Sequence, residues 1–182
     1  MTRIHIVTDS TSDIPVDLRK QLQIEMVPLK VHFGEEVFLD AVEITSDDFY
    51  AKLAAASDLP TTSQPSPNDF LEVYKQILSK DPDSSIISIH LSSALSGTYQ
   101  SAVMAKSMLD EQADITVIDS RSASYGIGYL AVTAAEAAKQ GKDKDACLQL
   151  IAQLKEQMKL YFYVDTLEYL QKGGRIGKAS AL

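Results

Sequence analysis

The chain has 182 residues, of which 45% are hydrophobic, and a formal net charge of −8 at pH 7. This length predicts one domain, or one domain with an addition, and the apolar content is enough for a buried core. The acidic balance argues against nucleic acid or an anionic membrane surface as the main partner. Cys147 is the only cysteine, so an intrachain disulfide is excluded. Because the sequence shows no signal peptide and no apolar run of membrane length, we expect a cytoplasmic protein without stable membrane insertion.

Apolar, β-branched runs that are typical of strands alternate with segments of helical periodicity along the chain. Strands are predicted at residues 3–9, 24–33, 37–39, 86–91, 115–119 and 160–164. Helices are predicted after Pro15, after capping boxes at Thr45 and Ser66, from about Leu95, in the alanine-rich segment that Gly141 ends, and after Asp143. Residues 59–67 contain three prolines and are predicted to form an extended loop.

Strands that alternate with helices predict an α/β domain whose mainly parallel sheet carries helices on both faces. In such a sheet, ligands bind beyond the carboxyl ends of the strands. Turns rich in hydroxyl groups follow three of the predicted strands, after Asp9, after Leu91 and after Asp119. These turns should therefore meet at one edge of the sheet, where they form the candidate site.

The stretch from Ser85 to Ala102 carries the most informative of these turns. Its apolar run, Ile86–Leu91, is typical of a buried strand, and four hydroxyl residues follow within seven positions, from Ser92 to Thr98. The start of a helix has free amide groups and positive partial charge, which favour a phosphate or carboxylate group. Ser92 or Ser93 could instead be a simple helix N-cap, but one cap would explain only one hydroxyl.

Other chemistries fit the sequence less well. The pair Gly126 and Gly128 resembles a dinucleotide fingerprint but does not directly follow a strand, so we interpret these glycines as helix-packing positions. The segment 173–179 lacks the hydroxyl that a phosphate loop requires, and no His/Cys/Asp spacing predicts a zinc site. One alternative stays open: a small-molecule enzyme, a hydrolase or a phosphoryl-transfer enzyme, that uses the turns of Ser93 and Asp9. No histidine is marked as its base.

Four motifs stand in order along the whole chain, at Asp9–Asp13, Pro60–Pro65, Leu91–Tyr99 and Tyr169–Ile176. Together they resemble the DegV family of bacterial fatty-acid-binding proteins. The resemblance implies a two-domain protein that buries a long-chain fatty acid between its domains and holds the carboxylate through Ser and Thr hydroxyls. It also implies a lipid-binding carrier rather than an enzyme, which presents the acid to an ATP-dependent fatty acid kinase subunit and has no other cofactor.

The resemblance also assigns roles to individual residues. Thr62 and Ser93 are the first candidates for the fatty acid carboxylate. The further ligand-binding candidates are Thr61, Ser63, Ser92, Ser96 and Ser10. Arg175 matches a basic turn that the resemblance assigns to the contact with the kinase, and no residue is assigned to a metal.

The domain organisation follows from the same resemblance. Residues 1–159 are expected to form the α/β domain that binds the lipid head, and residues 160–182 to begin a second domain that is largely absent. Because family chains continue well beyond Leu182, the chain is expected to be a fragment or a short form in which that domain is truncated. Part of the acyl tunnel would then be exposed as an apolar patch, and fatty acid should bind more weakly than to a longer form.

Overall fold

The computed structural model of the chain describes residues 2–161 and 163–179. In this part of the chain, the strands are β1 (Ile4–Asp9), β2 (Glu25–Val27), β3 (Lys30–Phe33), β4 (Glu36–Leu39), β5 (Thr61–Ser63), β6 (Ser85–His90) and β7 (Ile115–Asp119). The helices are α1 (Val16–Gln21), α2 (Ser46–Ala55), α3 (Pro67–Lys80), α4 (Thr98–Ser107), α5 (Tyr125–Lys139), α6 (Lys144–Gln157), α7 (Glu168–Lys172) and α8 (Ile176–Ala179).

Four parallel strands form the main sheet in the order β2-β1-β6-β7. The register places Ile4 of β1 beside Ser85 of β6, and Ile86 of β6 beside Ile115 of β7. Alternate side chains of β1 and β6 point to opposite faces of this sheet. The predicted parallel α/β architecture is therefore confirmed, and the carboxyl ends of β1, β6 and β7 lie at one edge.

Helices cover both faces of the parallel sheet. On one face, Ile6, Ile87 and Ile89 belong to a core that also contains Ile127 and Leu130 of α5 and residues of α6. On the other face, the core combines strand residues Val7 and Ile86 with side chains of α3 and α4, which are Phe70, Leu71, Tyr74, Ile77, Ala102 and Ala105. Helices α3, α4, α5 and α6 therefore bury side chains in these two cores.

A second, antiparallel sheet in the order β4-β3-β5 departs from the prediction. The predicted strand over residues 24–33 is wrong as one element, because the chain leaves the parallel sheet after β2 and enters the second sheet at β3. Pro28 lies at the break, and proline cannot donate a ladder hydrogen bond. The predicted loop at residues 59–67 is extended as expected, but its residues Thr61–Ser63 pair with β3.

Several predicted helix boundaries are confirmed and others are corrected. The capping boxes at Thr45 and Ser66 are both present, Asp143 caps α6, and Gly141 ends α5 with φ of +86°. The helix predicted from Leu95 begins only at Thr98, because the hydroxyl-rich stretch before it forms turns. The described residues of the predicted strand 160–164 belong to no strand, and Phe162 lies outside the described part.

Two further features bear on the interpretations made from sequence. A Cβ atom at Gly128 would lie 2.3 Å from the carbonyl oxygen of Ser12, so this glycine lets α5 pack closely against the turn after β1. The helix-packing interpretation of Gly128 is thus confirmed. Within the described residues, every helix is too short or too polar to cross a membrane.

Candidate functional site

The turns that follow β1 and β6 are joined by one buried carboxylate, that of Asp9. Its Oδ1 accepts hydrogen bonds from the Thr11 amide at 3.1 Å and the Thr11 hydroxyl at 2.5 Å. Its Oδ2 accepts from the Leu91 amide at 3.1 Å and lies 3.0 Å from His90 Nδ1. Asp9 therefore fixes the two hydroxyl-bearing turns relative to each other.

His90 continues this contact into a chain of buried polar groups. His90 Nε2 lies 2.6 Å from the Ser88 hydroxyl, which accepts a hydrogen bond from the Tyr74 hydroxyl at 2.8 Å. Asp9, Ser88, His90 and Tyr74 all have 0% relative exposure. Because a carboxylate can only accept, we assign the proton to Nδ1, which leaves Nε2 to accept from Ser88. The chain is thus fully satisfied with a neutral imidazole and an ionised Asp9.

The protonation of Asp9 reflects opposing effects. Burial alone would raise the pKa of this carboxyl, but the hydrogen bonds from His90, Thr11 and Leu91 outweigh it and hold the pKa below its ordinary value. On the other side of His90, burial raises the pKa of Tyr74, although its bond to Ser88 opposes the shift. Both groups therefore stay in the forms that the hydrogen-bond chain requires.

The turn after β6 connects to β7 through Ser93. The Ser93 hydroxyl donates to Asp119 Oδ2 at 2.6 Å, and the Ser93 amide donates to Asp119 Oδ1 at 3.3 Å. Ser92 is buried and its hydroxyl accepts from the Ala94 amide, so it stabilises the turn. These bonds leave Ser93 exposed at the carboxyl edge of the sheet, as expected for a residue that could meet a ligand.

The second sheet brings Thr62 towards the same edge. Val31 of β3 pairs with Thr62 of β5, and the Gln64 side chain that follows donates to the Ser101 hydroxyl at 3.2 Å. A Cβ atom at Gly97 would lie 2.3 Å from the Gln64 amide oxygen, so the absence of a side chain there lets the two segments approach. This close contact joins the β5 segment to the turn that carries Ser93.

A cavity of about 700 Å³ opens between these segments. Five of the predicted site residues line it together, and they are Thr62, Ser63, Ser93, Ser96 and Arg175. Leu29, Gln64 and Gln100 also line it, although none was predicted. Thr61, Ser92 and Ser10 lie outside this lining, but the Ser10 hydroxyl accepts from the amide of the lining residue Leu29 at 3.1 Å.

The hydroxyl groups that line this cavity differ in their hydrogen-bond partners. Ser63 lies 2.9 Å from His32 Nε2, Ser96 lies 2.9 Å from the Thr98 hydroxyl, and Ser93 is held by Asp119. Thr62 makes no side-chain hydrogen bond to any described residue, and it is exposed. Thr62 therefore has the hydroxyl that is free to donate to a ligand.

Arg175 adds a positive charge to the lining. Its guanidinium donates to the backbone carbonyls of Gly173 at 2.8 Å and Leu95 at 3.4 Å. No carboxylate in the described part of the chain lies within ion-pair distance of it. An anionic head group in this cavity would thus meet hydroxyls and one cation whose charge is not neutralised by a neighbouring acid.

A larger cavity of about 1220 Å³ lies at the opposite edge of the parallel sheet, beside the first residues of β1. None of the predicted site residues lines it. Ligands of open α/β sheets bind beyond the carboxyl ends of the strands, so size alone does not favour this cavity. No cluster of three or more possible metal ligands occurs among the described residues.

Comparison with known proteins places this geometry in a family. The model of the family described as "Uncharacterised protein, DegV family" matches residues 3–182. The chain belongs to the DegV family. Protein DegV of Bacillus subtilis is 40% identical over 179 residues, an alignment that covers 98% of this chain and 63% of that protein. This chain therefore spans about 63% of the length of the curated relatives it matches.

Solved structures of the DegV family share the fold. DegV of Bacillus subtilis, described as a fatty acid binding protein, superposes with a TM-score of 0.91 at 39% identity, over 100% of this chain and 64% of that one. A DegV family protein from Thermus thermophilus, described by its fatty acid binding, gives a TM-score of 0.89 at 40% identity, over 99% and 63% of the two chains. The resemblance drawn from the four motifs is confirmed by these matches.

Proposed function

We propose that this chain binds the carboxylate head of a long-chain fatty acid in the cavity lined by Thr62, Ser93 and Arg175. The single observation that carries the proposal is the meeting of these three predicted residues in one cavity of a DegV fold. Hydroxyls hold a carboxylate by charge-assisted hydrogen bonds without neutralising it fully, which suits a ligand that must be released again. The description of solved relatives as fatty-acid-binding proteins supports the same assignment.

The fatty acid would then be presented to an ATP-dependent kinase, and Arg175 would contribute to that contact. Its position in the cavity lining, together with Gly173 and Gly174, supports a role near the head group that a partner would have to reach. Replacing Arg175 by glutamine should slow phosphorylation of bound oleate by the kinase more than it weakens oleate binding. Equal losses in both measurements would assign Arg175 to the ligand alone.

The alternative of a small-molecule enzyme receives little support from the same residues. The Ser93 hydroxyl is bonded to Asp119, and none of the three histidines contacts it. His90 does contact a serine and an aspartate, but that serine, Ser88, is fully buried. A nucleophile that substrate cannot reach provides no route to hydrolysis or phosphoryl transfer.

We propose further that residues from 160 onwards begin a second domain. Apolar side chains in this segment are strongly exposed, with relative exposures of 84% at Tyr161, 96% at Tyr163 and 54% at Leu167. Contiguous exposed apolar groups favour a contact with further protein or with ligand. The greater length of the curated relatives supports this proposal.

Titration of oleate into the purified, delipidated chain tests the head-group assignment. Thr62→Val keeps the shape of the side chain but deletes a free donor, which is worth about 1.5–3 kcal/mol when the acceptor is charged. Oleate affinity should therefore fall about 10- to 100-fold. Thr61→Val is the matched control, because Thr61 is the preceding residue of the same strand but lies outside the cavity. Equal effects of the two substitutions would refute the proposed site.

A further inference from the structure

Ser93 lines the proposed head-group cavity, but its proton is already used. The hydroxyl donates to Asp119 Oδ2 at 2.6 Å, and a serine hydroxyl has only one proton to donate. A fatty acid carboxylate that accepted a hydrogen bond from Ser93 would have to replace Asp119 as the acceptor. The two carboxylates would then compete for one hydroxyl group and lie within a few Å of each other.

Asp119 is held in place by backbone amides as well as by Ser93. It is the last residue of β7, and its Oδ1 accepts from the amides of Ser93 and Arg121, at 3.3 and 2.9 Å. One cation lies beside it, Lys155 on α6, whose ammonium donates to the Asp119 carbonyl. Lys155 forms no ion pair with the Asp119 carboxylate among the described residues. The Asp119 carboxylate is therefore held by hydrogen bonds and is paired with no described cation.

We propose that Asp119 is a positioning residue that lowers the affinity of the site for fatty acid carboxylates. It does so by holding the Ser93 proton and by repelling the ligand charge from behind Ser93. This inference rests on the proposed function, since it concerns the same cavity. A site whose contact with the carboxylate is weakened in this way retains the acyl chain through apolar contacts but holds the head group weakly enough for transfer to a partner.

The size of the effect follows from the repulsion between two unit charges. At a separation of about 5 Å, close to a protein surface, water and salt reduce the repulsion to a level that changes affinity about tenfold. Asp119→Asn removes the charge and keeps the shape. Its one amide oxygen can keep the backbone amide bonds that Oδ1 accepts, and its NH2 group, which cannot accept, then faces Ser93 and leaves the hydroxyl proton free. Oleate should therefore bind about tenfold more tightly to this variant.

The experiment compares oleate with oleyl alcohol on the delipidated 182-residue chain, by titration at pH 8 in low and moderate salt. Oleyl alcohol has the same acyl chain without the charge, so its affinity should change less than about twofold in Asp119→Asn. The gain for oleate should shrink as salt is added. A purely structural role of Asp119 would move the affinities of both ligands together.

Asp114→Asn is the matched control. Asp114 lies just before β7, at the opposite edge of the sheet, and also accepts a hydrogen bond from a serine, Ser85, at 2.5 Å. It causes the same change in net charge, so equal tightening there would overturn the proposal. Weaker oleate binding to Asp119→Asn would also overturn it, because Asp119 would then orient Ser93 productively. If Asp119→Asn does not fold, Asp119→Ser serves as the charge-removing variant. Absence of oleate binding to the unaltered chain would instead refute the proposed function itself.

Discussion

Replacing His90 by leucine tests the strongest energetic claim that the structure supports. Leucine has a similar volume, but it removes the donor to the Asp9 carboxylate and the acceptor for the Ser88 hydroxyl. Loss of a hydrogen bond to a charged group costs about 1.5–3 kcal/mol, and an unsatisfied buried hydroxyl costs about 1–3 kcal/mol. Asp9 keeps its bonds from Thr11 and Leu91, and leucine adds apolar contacts. We therefore expect the free energy of unfolding to fall by about 3–5 kcal/mol.

Urea unfolding at pH 7, followed by circular dichroism, measures this loss. His5→Leu is the control, because His5 lies on β1 at 3.4 Å from Asp81, in a pair that is partly exposed. That pair should contribute less than about 1 kcal/mol. Tyr74→Phe removes only the hydrogen bond from Tyr74 to Ser88, which joins two neutral groups at the end of the buried chain, and should cost about 0.5–1.5 kcal/mol. A loss for His90→Leu no larger than that for His5→Leu would refute the reasoning.

Two further predictions concern acid stability and packing. The pKa of Asp9 is lower in the folded chain than its ordinary value of 3.8, so the unfolded chain takes up this proton first as the pH falls. The stability that Asp9 contributes is fully present at neutral pH and should be lost as the pH falls below about 4. When the free energy of unfolding is measured against pH, Asp9→Asn should therefore show a smaller decrease in this acidic range. Gly128→Ala should cost about 1–3 kcal/mol by thermal unfolding, since the added Cβ meets the Ser12 carbonyl. Gly177→Ala meets no atom of the described residues within 4 Å and should be close to neutral. Equal melting temperatures of these two variants would contradict the packing explanation.

The main sheet could be predicted because its signals are local. Each parallel strand is a short apolar run, and each is followed by a segment of helical periodicity. The second sheet could not be predicted in the same way. Its strand β5 has only three residues, Thr61–Ser63, and it is recognisable only by its pairing with β3 across the chain. The predicted strand at 24–33 also took no account of Pro28, which ends the first ladder.

The candidate site was predictable to the extent that strand topology fixes it. Turns after parallel strands meet at the carboxyl edge, so the hydroxyls after β1 and β6 were expected to be neighbours. The approach of Gln64 to Gly97 depends on tertiary packing that no local pattern encodes. The same is true of Arg175, which was assigned to a partner contact from its motif, while the structure also places it in the cavity lining.

What sequence could not provide is the location of each proton. Seven Ser and Thr residues were candidates, and all would be equivalent donors on residue type alone. In the folded chain, Ser10 and Ser92 accept from backbone amides, Ser63 is bonded to His32, and Ser93 donates to Asp119. A carboxylate needs donors, so the useful distinction is between a hydroxyl whose proton is free and one whose proton is held. Ser10 and Ser92 lie outside the cavity lining, so among the lining hydroxyls Thr62 is the first donor for a ligand, and Ser93 can become one only when it breaks its bond to Asp119.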